Sequence, residues 1–472
     1  MINLRPYQQD AIEACRAEIR AGKRRVLLVA PTGAGKTVMF AHIAHSSSAK
    51  GNQVVICAHR DELLDQISET LCKFDVPHGF VAAKRKHASL GLVTVASVQT
   101  LVNRLDSVNP ALIVLDEAHH STAGSWRRII NAYPNATILG VTATPQRLDG
   151  SGLGDVFETM VLGPQVAELQ ASGFLTPIKY YAPHSVDPSQ LAKRAGDYAI
   201  NGTAKLMMPA GNLGKVTGEA ITEYKRRADG QRAVVFCVNI IHSQRVAAQF
   251  CEAGYRWASL DSKMTKEARR QIVADFRTGA LQGISSCDII SEGFDLPEAA
   301  VAILLRPTKS LGLYMQQVGR ILRPAAGKTH AIVIDHVGNV GKNEDGHWKQ
   351  EHGFIEAHRE WNLDGKQRNK HGIIPCKRCP ECYALNPIGV RYCIECEHEF
   401  ELDGDNIPSH FSGVIVEVKN TPQTHDEWIK AASLKELLRW ARNEDQLKQV
   451  AKIKGYKQGW VRVILEQRKK WK

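Results

Sequence analysis

The chain has 472 residues, 43% of them hydrophobic and 23% charged, with a net charge of +12. That is the composition of an ordinary globular protein of roughly three domains, and no run approaches the ~18 apolar residues that a membrane-spanning helix needs. The opening stretch, MINLRPYQQDAIEACRAEIR, lacks the charged-then-apolar pattern of a secretion signal, so a cytoplasmic protein is expected. The positive excess favours a polyanionic partner, nucleic acid first.

Residues 25–44 read RVLLVAPTGAGKTVMFAHIA. The β-branched run 26–29 predicts a buried parallel strand, and 38–44 opens a helix whose N-terminus favours an anion. Between them, Pro31, Thr32, Gly33, Ala34 and Gly35 form a loop whose backbone N–H groups suit a phosphate. Lys36 would reach the β- and γ-phosphates of ATP, and the Thr37 hydroxyl would bind Mg²⁺. The first position of G-x-x-x-x-G-K-[ST] is Ala30, a departure from the pattern.

Further on, ALIVLDEAHH predicts a second buried strand, 111–115, ending in Asp116 and Glu117. A carboxylate at the C-terminal end of such a strand can hold Mg²⁺ through water, and the next can orient or activate an attacking water. His42, His45 and His120 are read as structural.

The Pro-bearing stretch 174–185, FLTPIKYYAPHS, leads into a second α/β unit. Its first strand is predicted at 233–238, followed by a helix over about 241–253 and a strand at 301–305. Residues 187–225 read as helical with Gly- and Asn-rich breaks. Gly327-Lys328-Thr329 imitates the phosphate loop, but its strand follows instead of preceding, so it is read as a surface turn. Residues 338–353 and 364–372 read as linkers or loops.

Five cysteines then fall within residues 376–396, in CKRCPECYALNPIGVRYCIEC. Paired Cys-x₂-Cys units predict a four-thiolate structural Zn²⁺ site. Two tetrads fit: Cys379, Cys382, Cys393 and Cys396, or Cys376, Cys379, Cys393 and Cys396. The first is preferred because CPEC and the compact turn after it suit a ribbon. Cys376 is then spare, an idle surface cysteine in preference to a thiol activated by Lys377 and Arg378. His398 is not expected to be a ligand. The other six cysteines are scattered singly and read as small buried hydrophobes.

Beyond the ribbon, 432–443 predicts an amphipathic helix with Leu434, Leu437, Leu438 and Trp440 near one side. Residues 448–472 carry nine Lys or Arg against one acid, Glu466. Tyr456, Trp460 and Trp471 among those charges favour nucleic-acid contact over a merely solvated tail.

Taken in order, LRPYQQDAI, APTGAGKT, DEAH (116–119), TAT (142–144), SEGFDLPEA and QQVGRILRP resemble the motifs of superfamily 2 helicases of the DEAH type. Over about residues 3–340 the chain is similar to RadD-like and phage-encoded DNA helicases. The resemblance implies an α/β fold of two tandem RecA-like (P-loop NTPase) parallel-sheet domains, 1–178 and 179–340, with ATP in the cleft. A linker (341–371), the zinc ribbon (372–402) and a basic helical region (403–472) would follow. By position it also implies roles for single residues. Arg5 and Gln8 would read adenine, 142–144 would couple hydrolysis to domain movement, and Gly293 and Asp295 would sense nucleotide from the second domain. Gln316, Arg320 and Arg323 match Q-x-x-G-R-x-x-R, with the arginines as fingers on the γ-phosphate. His59, Arg60, Ser97, Gln99 and Thr100 would contact the nucleic-acid backbone. An arginine supplied from a second domain neutralises the γ-oxygens only when the cleft closes, which lets hydrolysis become movement.

The activity expected from this resemblance is Mg²⁺-dependent ATP hydrolysis driving a helicase or translocase. DNA is favoured over RNA, because the resemblance runs toward repair, recombination and replication enzymes. A restriction-type motor subunit stays open, although the chain has no methylase motif and no nuclease constellation. An ATP-gated clamp that remodels a protein partner on DNA without separating strands is a further alternative, as is an RNA helicase.

Overall fold

A computed structural model describes residues 3–83, 85, 91–121, 124–147, 149–183, 191–194, 197–207, 215–287, 295–344, 347–365 and 376–400. Of the C-terminal part it describes 429, 437, 444–456, 459–462 and 464–465. The chain forms two compact units, Met1–Leu402 and Asp403–Lys472.

The larger unit holds two parallel sheets. The first lobe contains β1 (Arg25–Val29), β2 (Val54–Ala58), β3 (His78–Val81), β4 (Val93–Ser97), β5 (Leu112–Asp116), β6 (Thr137–Thr142) and β7 (Thr159–Leu162), in the order β3-β4-β2-β5-β6-β1-β7. Its helices are α1 (Pro6–Arg20), α2 (Lys36–Ser48), α3 (Asp61–Lys73), α4 (Val98–Leu101), α5 (Gly124–Ala132) and α6 (Val166–Ala171). With helices on both faces, the central strands are buried on both sides. That is why VLLV (26–29), VVICA (54–58) and LIVL (112–115) are unbroken apolar runs with no alternation.

The second lobe has strands β8 (Ile178–Tyr181), β9 (Lys193–Arg194), β10 (Asp197–Tyr198), β11 (Ala233–Phe236), β12 (Trp257–Leu260), β13 (Gly283–Ser286), β14 (Val301–Leu304) and β15 (Ala331–Asp335). Six of these form the parallel sheet β12-β13-β11-β14-β15-β8. Its helices are α7 (Ile200–Met207), α8 (Lys215–Ala228), α9 (Ile240–Glu252), α10 (Lys266–Thr278) and α11 (Leu311–Gly319). The sheet therefore begins earlier than predicted. Ile178 pairs with Ala331 at its edge, and an edge strand that is only half-buried lacks the apolar run by which β11 announces itself. Residues 187–225 are also not purely helical, since the β9–β10 hairpin precedes α7.

The stretch read as linker is more structured than predicted. Antiparallel β16 (Gly341–Glu344) and β17 (His347–Gln350) form a hairpin. The chain after it is held chiefly by one side chain, the Arg359 guanidinium, which donates to the carbonyls of His352, Phe354, Ile355 and Ala357, while Tyr314 OH donates to the Gly353 carbonyl and Ile355 N–H to Tyr180 OH. A buried segment whose carbonyls are satisfied by an arginine instead of a ladder carries no periodic signal. It ends on the first lobe, where the Leu363 carbonyl accepts from Gly154 N–H.

A ribbon with β18 (Cys376–Arg378) and β19 (Leu385–Pro387) closes this unit. The smaller unit contains α12 (Glu444–Lys454) and an apolar cluster of Ile429, Leu437, Leu447, Val450, Ala451, Val461 and Ile464. Tyr456 and Trp460 pack against each other and onto that cluster. Trp471 and, apart from Leu437, the predicted helix 432–443 lie outside the described residues. No helix among the described residues is long and apolar enough to cross a membrane.

Candidate active site and metal centre

Strands β1, β6 and β5 are neighbours, so the loops at their C-terminal ends converge, the usual ligand crevice of a parallel sheet. After β1, Ala30 N–H donates to the Thr142 carbonyl and so continues the β1–β6 ladder. This position is ordinary strand backbone, and alanine suffices where the motif has glycine. Gly33 and Gly35 do need to be glycine. Both are left-handed (φ +90° and +80°), and an added Cβ would lie 2.8 Å from Leu175 Cδ2 and 2.5 Å from Gln8 Nε2 respectively. The cradle between them opens α2 at Lys36, whose Nζ lies 3.2 Å from the Ala30 carbonyl. Burial lowers the Lys36 pKa, while Glu117 and Asp116 act to raise it. Both carboxylates are buried at the end of β5. A glycine cradle, a lysine and two buried acids fit a nucleotide phosphate with its divalent cation.

One phenol and one amide from α1 brace this loop. Tyr7 OH and Gln8 Nε2 each donate to the Ala34 carbonyl at 3.0 Å, and Arg5 N–H donates to Gln8 Oε1. Both ends of the Gln8 amide thus have protein partners. The Arg5 guanidinium lies over the Phe174 ring. The 142–144 triplet adjoins the acids: His119 Nδ1 lies 3.2 Å from Thr142 Oγ1 and 3.4 Å from Glu117 Oε2.

The second lobe reaches the same place through α11. Gln316 and Arg320 are buried, and the charges of Arg320 and Arg323 are both felt at Lys36. Arg323 Cγ would lie 3.6 Å from a Cβ on Gly33, and its guanidinium pairs with Asp295. Gly293 lies outside the described residues. The turn read as a decoy is not simply superficial. Lys328 Nζ donates to the carbonyls of Pro297, Ala299 and Arg323, which ties the arginine segment to the loop after β13.

Residues 1–147 match the family described as type III restriction enzyme, res subunit, and residues 216–325 match the helicase conserved C-terminal domain. The 51.5 kDa protein of a Lactococcus phage is 34% identical over 383 residues, covering 80% of this chain and 78% of that one. The chain belongs to superfamily 2 of the helicases. It is accordingly an ATP-hydrolysing enzyme of two RecA-like lobes. A Saccharomyces cerevisiae protein provisionally named as the ATP-dependent helicase IRC3 is 31% identical over 361 residues, 71% of this chain. The chain spans about half (51%) of that relative's length. The DNA 3'-5' translocase XPB2 of Sulfurisphaera tokodaii is 24% identical over 365 residues, covering 68% of this chain and 79% of that one. Among solved structures, the type ISP restriction-modification enzyme LlaBIII bound to DNA shares the fold. Its TM-score is 0.54 at 20% identity, over 71% of this chain and 28% of that one.

In this helicase the residues predicted to meet nucleic acid gather at the ends of β2 and β4, where Ala58 pairs with Ser97. Gln99 Nε2 donates to the His59 carbonyl and Ser97 Oγ to Gln99 Oε1. Arg60 Nε lies 3.3 Å from His59 Nε2, and Thr100 is on the short helix α4.

The ribbon sulfurs of Cys379, Cys382, Cys393 and Cys396 all lie within 4.8 Å of one another. Cys379–Cys396 and Cys382–Cys393 are 3.7 and 3.4 Å apart, close to the ~3.8 Å edge of a tetrahedron with Zn–S bonds of ~2.3 Å. The two knuckles repeat each other. Cys379 N–H donates to the carbonyl five residues on and Tyr383 N–H returns to Cys379; Cys393 and Glu397 do the same. Tyr383 and Glu397 are both left-handed. The donor set and geometry fit zinc. Cys376 stands apart from it. It is buried, accepts from Gln350 Nε2 at 3.2 Å, and burial pushes its thiol up to about 11. It is neither the idle surface cysteine nor the activated thiol that the sequence suggested, because β18 turns its side chain inward.

The ribbon is built onto the second lobe. Ala182 N–H donates to the Tyr383 carbonyl beside a Tyr181–Ala384 bridge, so the ribbon covers the edge strand β8. Arg227 Nη2 donates to the Cys382 carbonyl, and Lys179 pairs with Glu395 at 2.8 Å.

Proposed function

We propose that this helicase is a DNA translocase whose ATP site is completed by α11. The observation that carries the reading is the meeting of α11 with the phosphate loop, which brings Arg320 and Arg323 of one lobe to Lys36 and Gly33 of the other. Residues 31–36 would hold the phosphates, Thr37 and Asp116 the Mg²⁺, and Glu117 the attacking water. Arg5 and Gln8, beside the loop through the Ala34 carbonyl, would read adenine. When bound, Mg²⁺ offsets the charge of the β- and γ-phosphates. Arg320 and Arg323 add positive charge where it develops in the transition state, and only with the lobes together. Asp295, paired with Arg323, holds that side chain at the cleft. DNA is favoured as the track by the restriction-subunit family of the first lobe and by the translocase relative. His59, Arg60, Ser97, Gln99 and Thr100 would meet its backbone, since such contacts position a strand without reading its sequence. The four ribbon cysteines would hold a structural Zn²⁺, with no open position for catalysis. A role in repair, recombination or replication is the process this reading favours.

The test is ATP turnover with no nucleic acid, single-stranded, duplex or forked DNA, or RNA. Strong stimulation by one DNA form supports the motor. Equal rates in all five conditions favour the partner-gated clamp, and stimulation by RNA alone overturns the DNA assignment. Lys36→Ala and Glu117→Gln should each lower turnover by at least ~100-fold, and full activity in either removes the catalytic assignment.

A further inference from the structure

Three imidazole rings lead from the acids of the ATP site to the candidate nucleic-acid face. His119 lies against Glu117 and Thr142. Its ring centroid is 4.2 Å from that of His120, and His120 is 4.7 Å from His59, edge to face. These separations are those of packed aromatic rings. His59 in turn is bonded through its ring to Arg60 and through its carbonyl to Gln99. The row exists because β2 and β5 are adjacent and level, with Cys57 opposite Leu115, so the residues just past their ends face each other.

The acid end of this row is also where the backbone is unusual. Glu117 is left-handed (φ +50°, ψ +54°) and is followed by a single tight turn, Ala118–His120. A non-glycine residue in that conformation persists when its surroundings hold it there, and His119 and His120 belong to the turn that follows it.

We infer that His120 is a positioning residue that transmits nucleic-acid engagement at His59 and Arg60 to Glu117, through the row of packed rings; this rests on the motor reading proposed above. Movement of the His59–Arg60 segment on binding a phosphate would press on the His120 ring. The turn would then shift the carboxylate that orients water. On this inference His120 acts through its neighbours and not by contact with ATP or nucleic acid.

The experiment compares wild type, His120→Ala, His120→Gln and His120→Phe. It measures ATP turnover without nucleic acid and with saturating single-stranded DNA, duplex DNA, forked DNA or RNA, taking the form that stimulates wild type most, together with affinity for that form by fluorescence anisotropy and melting temperature. His120→Ala and His120→Gln should lose about tenfold of the stimulation, an ordinary size for coupling between two sites. DNA affinity, unstimulated turnover and melting should stay at wild-type values, and His120→Phe, which keeps a ring, should retain most of the stimulation. If His120→Ala melts early, the two bulkier variants decide. Undiminished stimulation in folded His120→Gln overturns the inference, as does equal loss in His120→Phe. A fall in the unstimulated rate as large as that in the stimulated rate does the same. A wild type that no nucleic acid stimulates removes the motor reading, and this inference with it.

Discussion

Gly319, at the end of α11, approaches Thr32 of the phosphate loop so closely that a Cβ added to it would lie 2.5 Å from Thr32 Cβ. Two turns earlier on the same face, a Cβ on Gly312 would lie 3.0 Å from Thr144 Oγ1. The second lobe therefore rests a smooth helix face on two loops of the first. Gly319→Ala should wedge that contact, costing about 1–3 kcal/mol by overpacking. Turnover should fall roughly tenfold or more, while nucleotide affinity, largely a property of the first-lobe loop, changes little. Equilibrium binding of a fluorescent ATP analogue beside steady-state turnover separates the two, and an unchanged kcat would show the contact is not needed.

The lobes also meet through charge. Arg269 of α10 pairs with Glu62 of α3, and Lys266 Nζ lies 2.8 Å from Asp65. The Glu62 and Arg269 side chains are each 19% exposed, so their pair is screened less than one on the surface. Arg269→Glu should disfavour closure by about 1–2 kcal/mol, or roughly five- to thirtyfold in the closed population. KM for ATP should rise accordingly. The swapped double variant Glu62→Arg with Arg269→Glu should recover much of the loss, and absence of recovery would assign the defect to something other than this pair.

For the metal, Cys376→Ser should retain about one zinc per chain and Cys379→Ser should lose it, since the remaining thiolates no longer close a tetrahedron. Atomic absorption on the purified variants decides this. Because the ribbon covers β8 through Ala182 and Tyr383, chelation should also make the second-lobe edge more sensitive to protease.

Acid stability depends on buried histidines. His336 is fully buried, with no hydrogen bond from either ring nitrogen to a described residue, and burial pushes its pKa from 6.5 down to about 4. Burial takes His242 to about 4 as well. Between those values the unfolded chain binds protons that the folded one refuses, so stability falls as pH drops from about 6.5 to 4. Asp335 works the other way in part, because burial raises it to about 6 and the folded state takes its proton first. Burial also raises Glu356, which acts with Asp335, and lowers His352, which acts with the histidines, so three histidines against two acids leave a net loss toward acid. The urea midpoint should decline over this range, and His336→Phe should make the decline shallower.

The motifs were legible because each is a local solution to a local problem. A phosphate needs backbone wrapped into a tight cradle, which the left-handed Gly33 and Gly35 allow within one loop, and four thiolates need Cys-x₂-Cys knuckles. The edge strand β8, the hairpin β16–β17 and the Arg359-held segment were not legible, because their hydrogen bonds go to partners far along the chain. The buried state of Cys376 and the anchoring of Lys328 were missed for the same reason.

The sequence by itself determined the parallel α/β class, the order of the motifs and the chemistry each can perform, because strand burial and ligand spacing are written in neighbouring residues. Tertiary structure alone decided that Gly319 meets Thr32, that the ribbon covers β8, and that His59, His120 and His119 stand in a row. Those contacts join residues from separate strands and lobes, and their geometry exists only once the sheet order has brought the ends of β1, β2, β5 and β6 together.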